Sequence, residues 1–429
     1  MSPSQLRIDK LHLENFRCFE MLDVSFEKDL TVFFAENGGG KTAILTALAM
    51  ALDLLQPAHT KALLLEVARD VRHVPNQSGM VEPTGVCKVV CSAEIGAKHD
   101  VEWGVTGSAK SRRGELCLAE ISDAIEAVRQ QGERWPLLGF YGTGRFANER
   151  KPGRKPRQVA RMDGYAGCLD ASATDGPLLD WIKEEVLGDL LRSQRGQPQR
   201  YFAQGVFDAL ESAMSVRKPG SPILTDIRFD PDSQSPVACF EDGSKATWAE
   251  LSDGFHVFMG LIGDIAMRAV KLNGHLDGAK APSLIEGVVL IDEIDQHLHP
   301  RWQRTVLAGL KAAFPNPKLQ FIVTTHSPQV LSSVENRQVR LLKDNQVRTQ
   351  GVFVEGRDTN SILRELMGTN DRDERGENAL DELYALIDSG KIEKARVELE
   401  RMREKWGHHD PELIRAEGFL DEAAIDGEE

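Results

Sequence analysis

The sequence predicts an α/β protein in which a mixed sheet is covered by helices. Three continuous apolar runs, TVFFA, GVVLI and LQFIV, are typical of strands that are buried on both faces of a sheet. The first run leads into a glycine-rich turn, the second into two acidic residues, and the third into a histidine. A strongly apolar helical segment, AILTALAMALDLL, follows the glycine-rich turn. This order of strand, turn and helix places polar, chemically active residues at the ends of buried strands.

The segment FFAENGGGKTAILTALA, residues 33–49, predicts a phosphate-binding loop. Backbone N–H groups of the turn and the helix N-terminus would face the phosphates of ATP. Lys41 would add a full positive charge opposite the β- and γ-phosphates, and the Thr42 hydroxyl is a candidate Mg²⁺ ligand. The candidate nucleotide-binding residues of the loop are Asn37, Gly38, Gly39, Gly40, Lys41 and Thr42.

One position of this loop departs from the common pattern, because Ala35 stands where a glycine usually begins the turn. Alanine has the smallest Cβ, so it fits if its φ is negative. The sequence therefore favours a working nucleotide site and leaves a decayed site as the alternative.

Two further strand ends carry candidate catalytic groups. In GVVLIDEID, Asp292 is placed to hold Mg²⁺, and Glu293 follows it as a candidate base for an attacking water. In LQFIVTTHSPQVL, the strand ends at His326, a candidate sensor of the terminal phosphate. A histidine with only a structural role is the alternative for His326.

The segment WAELSDGFHVFMGLIGDIAMRAV predicts a helix that begins after Ser252. Ser252 is a favourable N-cap residue, and a helix N-terminus attracts phosphate. An ordinary capped helix is the alternative, which the order of the four motifs argues against.

The four motifs in this order resemble the ABC-type ATPases of the SMC/RecF/RecN branch, as do the opening strands LHLENFRCFEMLDVSF. The resemblance implies a head-to-head dimer with composite ATP sites, in which Ser252 and Gly254 contact ATP held by the other subunit. It also implies a D-loop role for Asp295 and, more weakly, a nucleotide contact for Arg17. Asp253 departs from the family's LSGG signature, which puts fast turnover in doubt. No Q-loop glutamine is identified.

A finer resemblance covers nearly the whole chain. The segments LLGFYGTGRF, RMDGYAGCLDAS, DEIDQHLHPRWQ and GRDTNSILRELMGT are similar to those of short OLD-like ATPases of prokaryotic antiphage systems, the Septu and retron-associated ATPases. This implies a sensor or scaffold that controls a partner nuclease, of HNH type in Septu systems. The rivals are a RecF-like DNA-repair ATPase and a scaffold that nucleotide stabilises with little turnover.

Four segments are predicted: an N-terminal ATPase lobe at 1–145, a helical insertion at 146–222, a C-terminal ATPase lobe at 223–370 and a helical tail at 371–429. Within the first segment, a small antiparallel lobe is predicted near residues 81–105. Residues 147–250 show no sustained heptads, so no long coiled coil is expected. The tail shows no TOPRIM pattern, so any nuclease activity is expected from a partner. Its apolar stripe, which includes Leu383, Leu399 and Met402, predicts packing on the ATPase core, on the sister subunit or on the nuclease.

The composition fits a soluble globular protein, with 41% hydrophobic and 28% charged residues. The net charge of -14 argues against nucleic-acid binding by overall charge. A basic run from Arg145 to Arg161 is a candidate contact for nucleic acid or a partner, with a solvated loop as the alternative. Neither a signal peptide nor an apolar stretch that could span a membrane is evident, so a cytoplasmic protein is expected.

Overall fold

A computed structural model describes residues 6–56, 66–75, 79–95, 98–108, 115–117, 134–145, 161–172, 174–216, 224–368 and 372–426. The chain forms two compact units, Met1–Ile362 and Leu363–Glu429.

The first unit contains the described strands. In chain order they are β1 (Leu6–Phe16), β2 (Phe19–Ser25), β3 (Leu30–Ala35), β4 (His73–Pro75), β5 (Val81–Pro83), β6 (Val86–Ile95), β7 (Lys98–Ser108), β8 (Glu115–Cys117), β9 (Leu137–Tyr141), β10 (Leu224–Asp230), β11 (Ser235–Phe240), β12 (Lys245–Thr247), β13 (Gly287–Ile291), β14 (Leu319–Thr325), β15 (Val339–Lys343) and β16 (Gln346–Arg348).

The described α-helices are numbered in the same way. They are α1 (Lys41–Asp53), α2 (Val67–Asp70), α3 (Gly176–Gln194), α4 (Phe202–Ser215), α5 (Asp253–Asp277), α6 (Ala281–Leu284), α7 (Pro300–Gln303), α8 (Val306–Ala313), α9 (Pro328–Leu331), α10 (Thr359–Met367), α11 (Glu374–Asp388), α12 (Ile392–Trp406) and α13 (Pro411–Asp426).

A six-stranded sheet, in the order β16-β15-β3-β14-β13-β9, forms the centre of the first unit. Strands β15, β3, β14, β13 and β9 are parallel, and β16 is antiparallel at one edge. Every residue of β3, β13 and β14 is buried, as their continuous apolar runs predict. Because β14 lies between β3 and β13, the carboxyl ends of these three strands meet at one edge of the sheet.

A second, antiparallel sheet has the order β2-β1-β6-β7-β8. It is larger than the lobe near residues 81–105 that the sequence suggests, because β1 pairs with β6 across about 80 residues of chain. The fully buried Gln320 of β14 joins the two sheets: its side chain hydrogen-bonds both the N–H and the carbonyl of Ile8, each at 2.9 Å. This bond network fixes the second sheet against the central one.

Helices α3 and α4 lie within the predicted insertion and pack against the long helix α5. Glycines allow close packing here: a Cβ at Gly263 of α5 would lie 2.6 Å from the Leu178 side chain of α3, and one at Gly205 of α4 would lie 2.4 Å from the carbonyl oxygen of Ala279, just beyond the end of α5. Among the described residues of 147–250, α3 with 19 residues and α4 with 14 are the longest helices. The described part of the insertion is therefore a compact layer.

The second unit contains α11, α12 and α13, which share a core of their own. Its buried residues are Leu383, Ala395, Leu399, Met402, Leu413, Ala416 and Leu420. The apolar stripe of the tail therefore packs against helices of the tail itself. The expectation that the ATPase core, the sister subunit or a nuclease must cover this stripe is wrong, because α13 supplies the missing apolar face.

No described helix is long and apolar enough to cross a membrane.

Candidate nucleotide-binding site

The phosphate-binding loop connects β3 to α1. Gly38 and Gly40 have φ of 80° and 90°, which favour glycine. A Cβ at Gly40 would also lie 2.3 Å from the Phe19 ring, and one at Gly39 would lie 2.8 Å from the Cβ of Ala35. Ala35 is the last residue of β3 and is not among the residues with positive φ. The alanine that departs from the common pattern therefore causes no backbone strain.

Lys41 is the first residue of α1, and its ammonium folds back over the loop. Its Nζ donates to the carbonyl oxygens of Ala35 at 2.9 Å and Glu36 at 3.3 Å. Burial lowers the pKa of Lys41, while Asp292 and Glu293 oppose that shift. A phosphate in the loop would supply the negative charge that this buried cation needs. Asn37 lies in the exposed part of the same turn.

Thr42 and Asp292, which are 250 positions apart in the sequence, meet at the edge of the sheet. The Thr42 hydroxyl donates to Asp292 Oδ2 at 2.7 Å, and Thr324 donates to Oδ1 at 2.6 Å. Asp292 is only 2% exposed. A hydroxyl next to a carboxylate is a donor set that fits Mg²⁺, which takes one or two protein oxygens and completes its shell with phosphate and water. Among the described residues, no group of three His, Cys, Asp or Glu offers a fuller metal site.

Glu293 lies one residue beyond Asp292 in a backbone conformation that is unusual for a glutamate, with φ of 47°. Its N–H donates to the Thr324 hydroxyl at 2.7 Å. Its carboxylate is 38% exposed, and Oε1 lies 4.0 Å from Nε2 of His326. The main chain of Glu293 is thus held firmly while its carboxylate faces the open side of the site.

His326 follows β14 directly, opposite Glu293. Burial and the charge of Lys41 lower the pKa of its imidazole, which favours the neutral ring. Asp295 holds this segment in place, because its Oδ1 accepts from the Thr325 hydroxyl at 2.5 Å and from the His326 N–H at 3.3 Å. The structure therefore brings the two candidate catalytic residues together with Asp295, the candidate D-loop residue.

Arg145 has a role that the sequence did not indicate. The interpretation of Arg145 as the start of a basic nucleic-acid or partner contact is wrong, because the residue is only 2% exposed. Its guanidinium donates to the carbonyl oxygens of Asp292, of Glu293 at 2.7 Å and of Gly142 at 3.0 Å. Burial lowers the pKa of Arg145 to about 10, which leaves it charged at neutral pH. Residues 146–160 of the basic run lie outside the described residues.

Arg145 is therefore a positioning residue for Glu293. We expect Arg145→Lys to keep ATP affinity within about threefold and to lower turnover by about 10- to 100-fold, because lysine keeps the charge but loses the planar fork, and small misplacements of a catalytic group are costly. The matched control is Arg340→Lys, since Arg340 is 4% exposed and also donates to backbone carbonyls. Steady-state hydrolysis, ATP affinity and Tm are measured for both. Equal losses of turnover in the two variants would mean that Arg145 acts only through stability.

Arg17 lies beside the site and is held by the buried Asp70. Its Nε and Nη2 donate to Asp70 Oδ1 at 3.0 and 2.9 Å, and its Nη1 donates to the Thr46 hydroxyl at 3.3 Å. A cleft of about 600 Å³ is lined by Arg17, Thr42, Asp292 and residues 142–144. Arg17 thus lies in the same cleft as Thr42 and Asp292, and its contact with the nucleotide stays a prediction.

The signature segment forms the N-terminus of α5. Ser252 and Asp253 are exposed, and α5 begins with a bond from the His256 N–H to the Ser252 carbonyl at 2.8 Å. The predicted side-chain cap is not made, so the Ser252 hydroxyl does not serve its own helix. A Cβ at Gly254 would lie 2.3 Å from the His297 carbonyl oxygen, so close packing within the chain requires this glycine.

Helix α5 is also tied to the acidic strand end. Tyr141 of β9 donates its hydroxyl to Asp264 of α5 at 2.8 Å, and the Tyr141 carbonyl accepts from the Asp292 N–H at 2.8 Å. Arg268 donates to the same carboxylate at 2.6 Å. Tyr141 thus contacts both helix α5 and Asp292, the candidate metal ligand. The sequence analysis did not identify Tyr141 and Arg145 as residues of the site. The segment LLGFYGTGR nevertheless has the pattern of the other motifs, because an apolar strand is followed by glycines and a charged residue.

The fold and the site together define the class of protein. The parallel order β3-β14-β13, the glycine-rich loop with Lys41 and Thr42, and the acidic strand end at Asp292 are those of an ABC-type P-loop ATPase of the SMC/RecF branch, as predicted. Two family models match parts of the chain: one described as "AAA domain, putative AbiEii toxin, Type IV TA system" matches residues 208–332, and one described as "AAA domain" matches residues 10–62.

Comparison with known proteins identifies the family. The chain is 36% identical to the retron Ec83 probable ATPase of Escherichia coli, with 96% of this chain and 86% of that protein covered. It is 24% identical to the retron Vc95 probable ATPase of Vibrio cholerae over 80% of this chain and 74% of that protein. The Septu protein PtuA of Bacillus mycoides is 42% identical over 23% of this chain and 13% of its own length. The chain belongs to the family of these retron-associated ATPases, which confirms the resemblance seen in the sequence.

Among solved structures, an SMC head bound to the C-winged helix domain of ScpA has a TM-score of 0.48 and 16% identity, with 80% of this chain and 96% of that one covered. The assignment of the fold therefore rests on the strand order and the motifs and not on this structural similarity.

Proposed function

We propose that this chain is an ATP-hydrolysing subunit of an antiphage defence system, which works as a head-to-head dimer and controls a partner nuclease. The observation that carries the ATPase assignment is the contact of Thr42 with Asp292 at 2.7 Å, with Glu293 directly beyond it. This contact joins the phosphate loop to the acidic strand end, where a metal–nucleotide complex would be held.

Each residue of the candidate site has its own role in ATP hydrolysis. The loop N–H groups and Lys41 bind the phosphates, and Thr42 and Asp292 would hold Mg²⁺, which would neutralise phosphate charge. Glu293 accepts a proton from water as the water oxygen bonds to the γ-phosphorus and the bond to the β–γ bridging oxygen breaks. Neutral His326, 4.0 Å from Glu293, donates its ring N–H to an oxygen of the γ-phosphate and thereby helps to orient the water. The products are ADP and phosphate.

The signature segment supports a composite site. The exposed Ser252 hydroxyl has no cap bond to make within its own helix. In a head-to-head dimer it would contact the γ-phosphate of ATP bound by the second copy, together with the backbone at Gly254. The carboxylate of Asp253 next to that phosphate would disfavour closure, which supports slow turnover.

A mixing experiment tests the shared site. Ser252→Arg is expected to leave nucleotide binding by each subunit intact but to block ATP-dependent dimerisation, because the larger cation fills the exposed contact. Mixed with Lys41→Ala subunits, it leaves at most one intact site in each mixed dimer. ATPase activity should therefore fall well below that of the unaltered chain, and phage protection in cells should fall with it. The matched control is Ser332→Arg, at a half-buried position outside the site. Unchanged activity in the mixture would contradict a shared site.

The defence role is supported by the family, since its relatives are named for retron and Septu systems. We assign the nuclease activity to a partner, of HNH type as in the Septu resemblance, because the tail sequence shows no TOPRIM pattern. Purification of the tagged chain from its native host should recover a nuclease. Strong stimulation of hydrolysis by DNA, with no nuclease recovered, would favour the RecF-like repair function. Absence of hydrolysis would favour the scaffold.

A further inference from the structure

A second cavity, of about 840 Å³, lies away from the phosphate loop. Helix α3, the start of α4 and the C-terminal part of α5 form its walls, and it shares no lining residue with the cleft beside Thr42. Lys271 lies on the same helix as the signature, roughly 28 Å further along the helix axis than Ser252 at 1.5 Å per residue. The cavity is thus a separate space that borders the signature helix, and its volume is within the range of about 300–1,000 Å³ for small-molecule sites.

Positive charge dominates the cavity wall. Arg161, Arg200 and Lys271 line it, against the single carboxyl of Glu185. The ammonium of Lys271 lies 5.9 Å from the centroid of the Trp181 ring, and within the described residues it has no hydrogen-bond acceptor. Burial lowers the pKa of Lys271. A half-buried ammonium without an acceptor favours an anionic occupant.

Glu185 supplies a second polar group without a partner. The residue is 8% exposed, and its Oε2 is buried with no hydrogen-bond partner in the described part of the chain. Burial raises the pKa of this carboxyl, so its neutral form can donate as well as accept a hydrogen bond. Trp181, Phe202 and Val270 form an apolar wall in the same cavity. The wall therefore offers cations, one hydrogen-bonding carboxyl and two aromatic rings.

We propose that this cavity binds a mononucleotide. The phosphate would pair with Lys271 and Arg200, the planar base would pack on the wall formed by Trp181, Phe202 and Val270, and the polar edge of the base would hydrogen-bond to Glu185 Oε2. A single ligand thus supplies an anion to Lys271 and Arg200 and a hydrogen-bond partner to Glu185 Oε2. Because the site borders α5, the occupant contacts the helix that carries the signature at its other end.

Calorimetry with AMP and GMP tests the proposal in the full chain that carries Lys41→Ala, which suppresses binding at the phosphate loop. One monophosphate per chain should bind, and inorganic phosphate alone should bind at least tenfold more weakly. Adding Lys271→Gln should weaken binding at least tenfold. The matched control is Lys183→Gln on helix α3, where the lysine donates instead to Gln234 at 2.7 Å, and it should change affinity less than twofold.

Glu185→Gln serves as the second variant, because it keeps the shape of the side chain and should change the preference between AMP and GMP while Tm stays close to that of the parent. Absence of binding by either monophosphate at millimolar concentration would overturn the proposal. So would equal affinity in the Lys271→Gln and Lys183→Gln variants, or equal affinity for phosphate and mononucleotide. Since the test is made without a working phosphate loop, its failure is separate from any failure of the ATPase assignment.

Discussion

Glu293→Gln is expected to bind ATP as tightly as the unaltered chain and to hydrolyse it about 10²–10⁴-fold more slowly, the usual contribution of a general base. The amide keeps the size and the hydrogen bonding of the carboxylate but cannot accept the proton of the attacking water. The backbone contacts that hold this residue, from its N–H to Thr324 and from Arg145 to its carbonyl, do not involve the side chain. The strained conformation at φ of 47° should therefore survive the substitution.

The measurement compares single-turnover hydrolysis and ATP affinity in the two proteins. Glu286→Gln is the matched control, because Glu286 precedes the same strand β13 at its opposite end and is also mostly buried. It should leave turnover within about twofold, the scatter expected of a substitution away from the reacting atoms. Turnover by Glu293→Gln at the rate of the unaltered chain would remove Glu293 from the role of base. If the unaltered chain itself hydrolyses no ATP, the nucleotide-stabilised scaffold becomes the better interpretation.

The central sheet could be predicted from the sequence because local patterns determine it. Parallel strands that are buried on both faces require continuous apolar runs, and the phosphate loop needs glycines with positive φ just before a helix. Each requirement can be recognised in a segment of only a few residues of the sequence. The meeting of Thr42 with Asp292 follows once β3 and β13 lie on either side of β14 in one parallel sheet, so the resemblance of the four motifs was enough to anticipate it.

The role of Arg145 could not be predicted in this way. It depends on the pairing of β9 with β13, which places Arg145 beside the carbonyls of residues 292 and 293, 147 and 148 positions away. In the sequence the residue begins a run of basic residues, and charge alone suggested a surface. The second sheet was underestimated for the same reason, since β1 and β6 are far apart in the chain. For the tail, the sequence indicated the apolar stripe but not the surface that covers it. In the structure, helix α13 of the tail itself packs against that stripe.

Lys41→Ala is expected to weaken ATP binding by about 10²–10⁴-fold. Lys41 would make charge-assisted hydrogen bonds to two phosphates, each contributing about 1.5–3 kcal/mol, and each 1.4 kcal/mol corresponds to a factor of ten. The fold should persist, because the loop shape depends on Gly38 and Gly40 and on the packing of Gly40 against Phe19. The substitution removes the hydrogen bonds from Lys41 Nζ to the Ala35 and Glu36 carbonyls, which lowers the stability of the fold. It also removes the free-energy cost of burying the ammonium charge, which partly offsets that loss.

Ala35→Gly provides the matched control for Lys41→Ala, since it restores the common glycine of such loops. It should change ATP affinity less than about threefold. Ala35 is extended and buried at the end of β3, so the loop does not need the extra backbone conformations of glycine at this position, and a substitution without strain has a small effect. Calorimetry with a slowly hydrolysed ATP analogue measures both variants. If Ala35→Gly raised affinity tenfold or more, the alanine would mark a weakened loop. If Lys41→Ala bound like the unaltered chain, the phosphate-loop assignment would be wrong. Retention of affinity by Ala35→Gly and its loss in Lys41→Ala would show that the loop binds ATP through the charge of Lys41, independently of the residue at position 35.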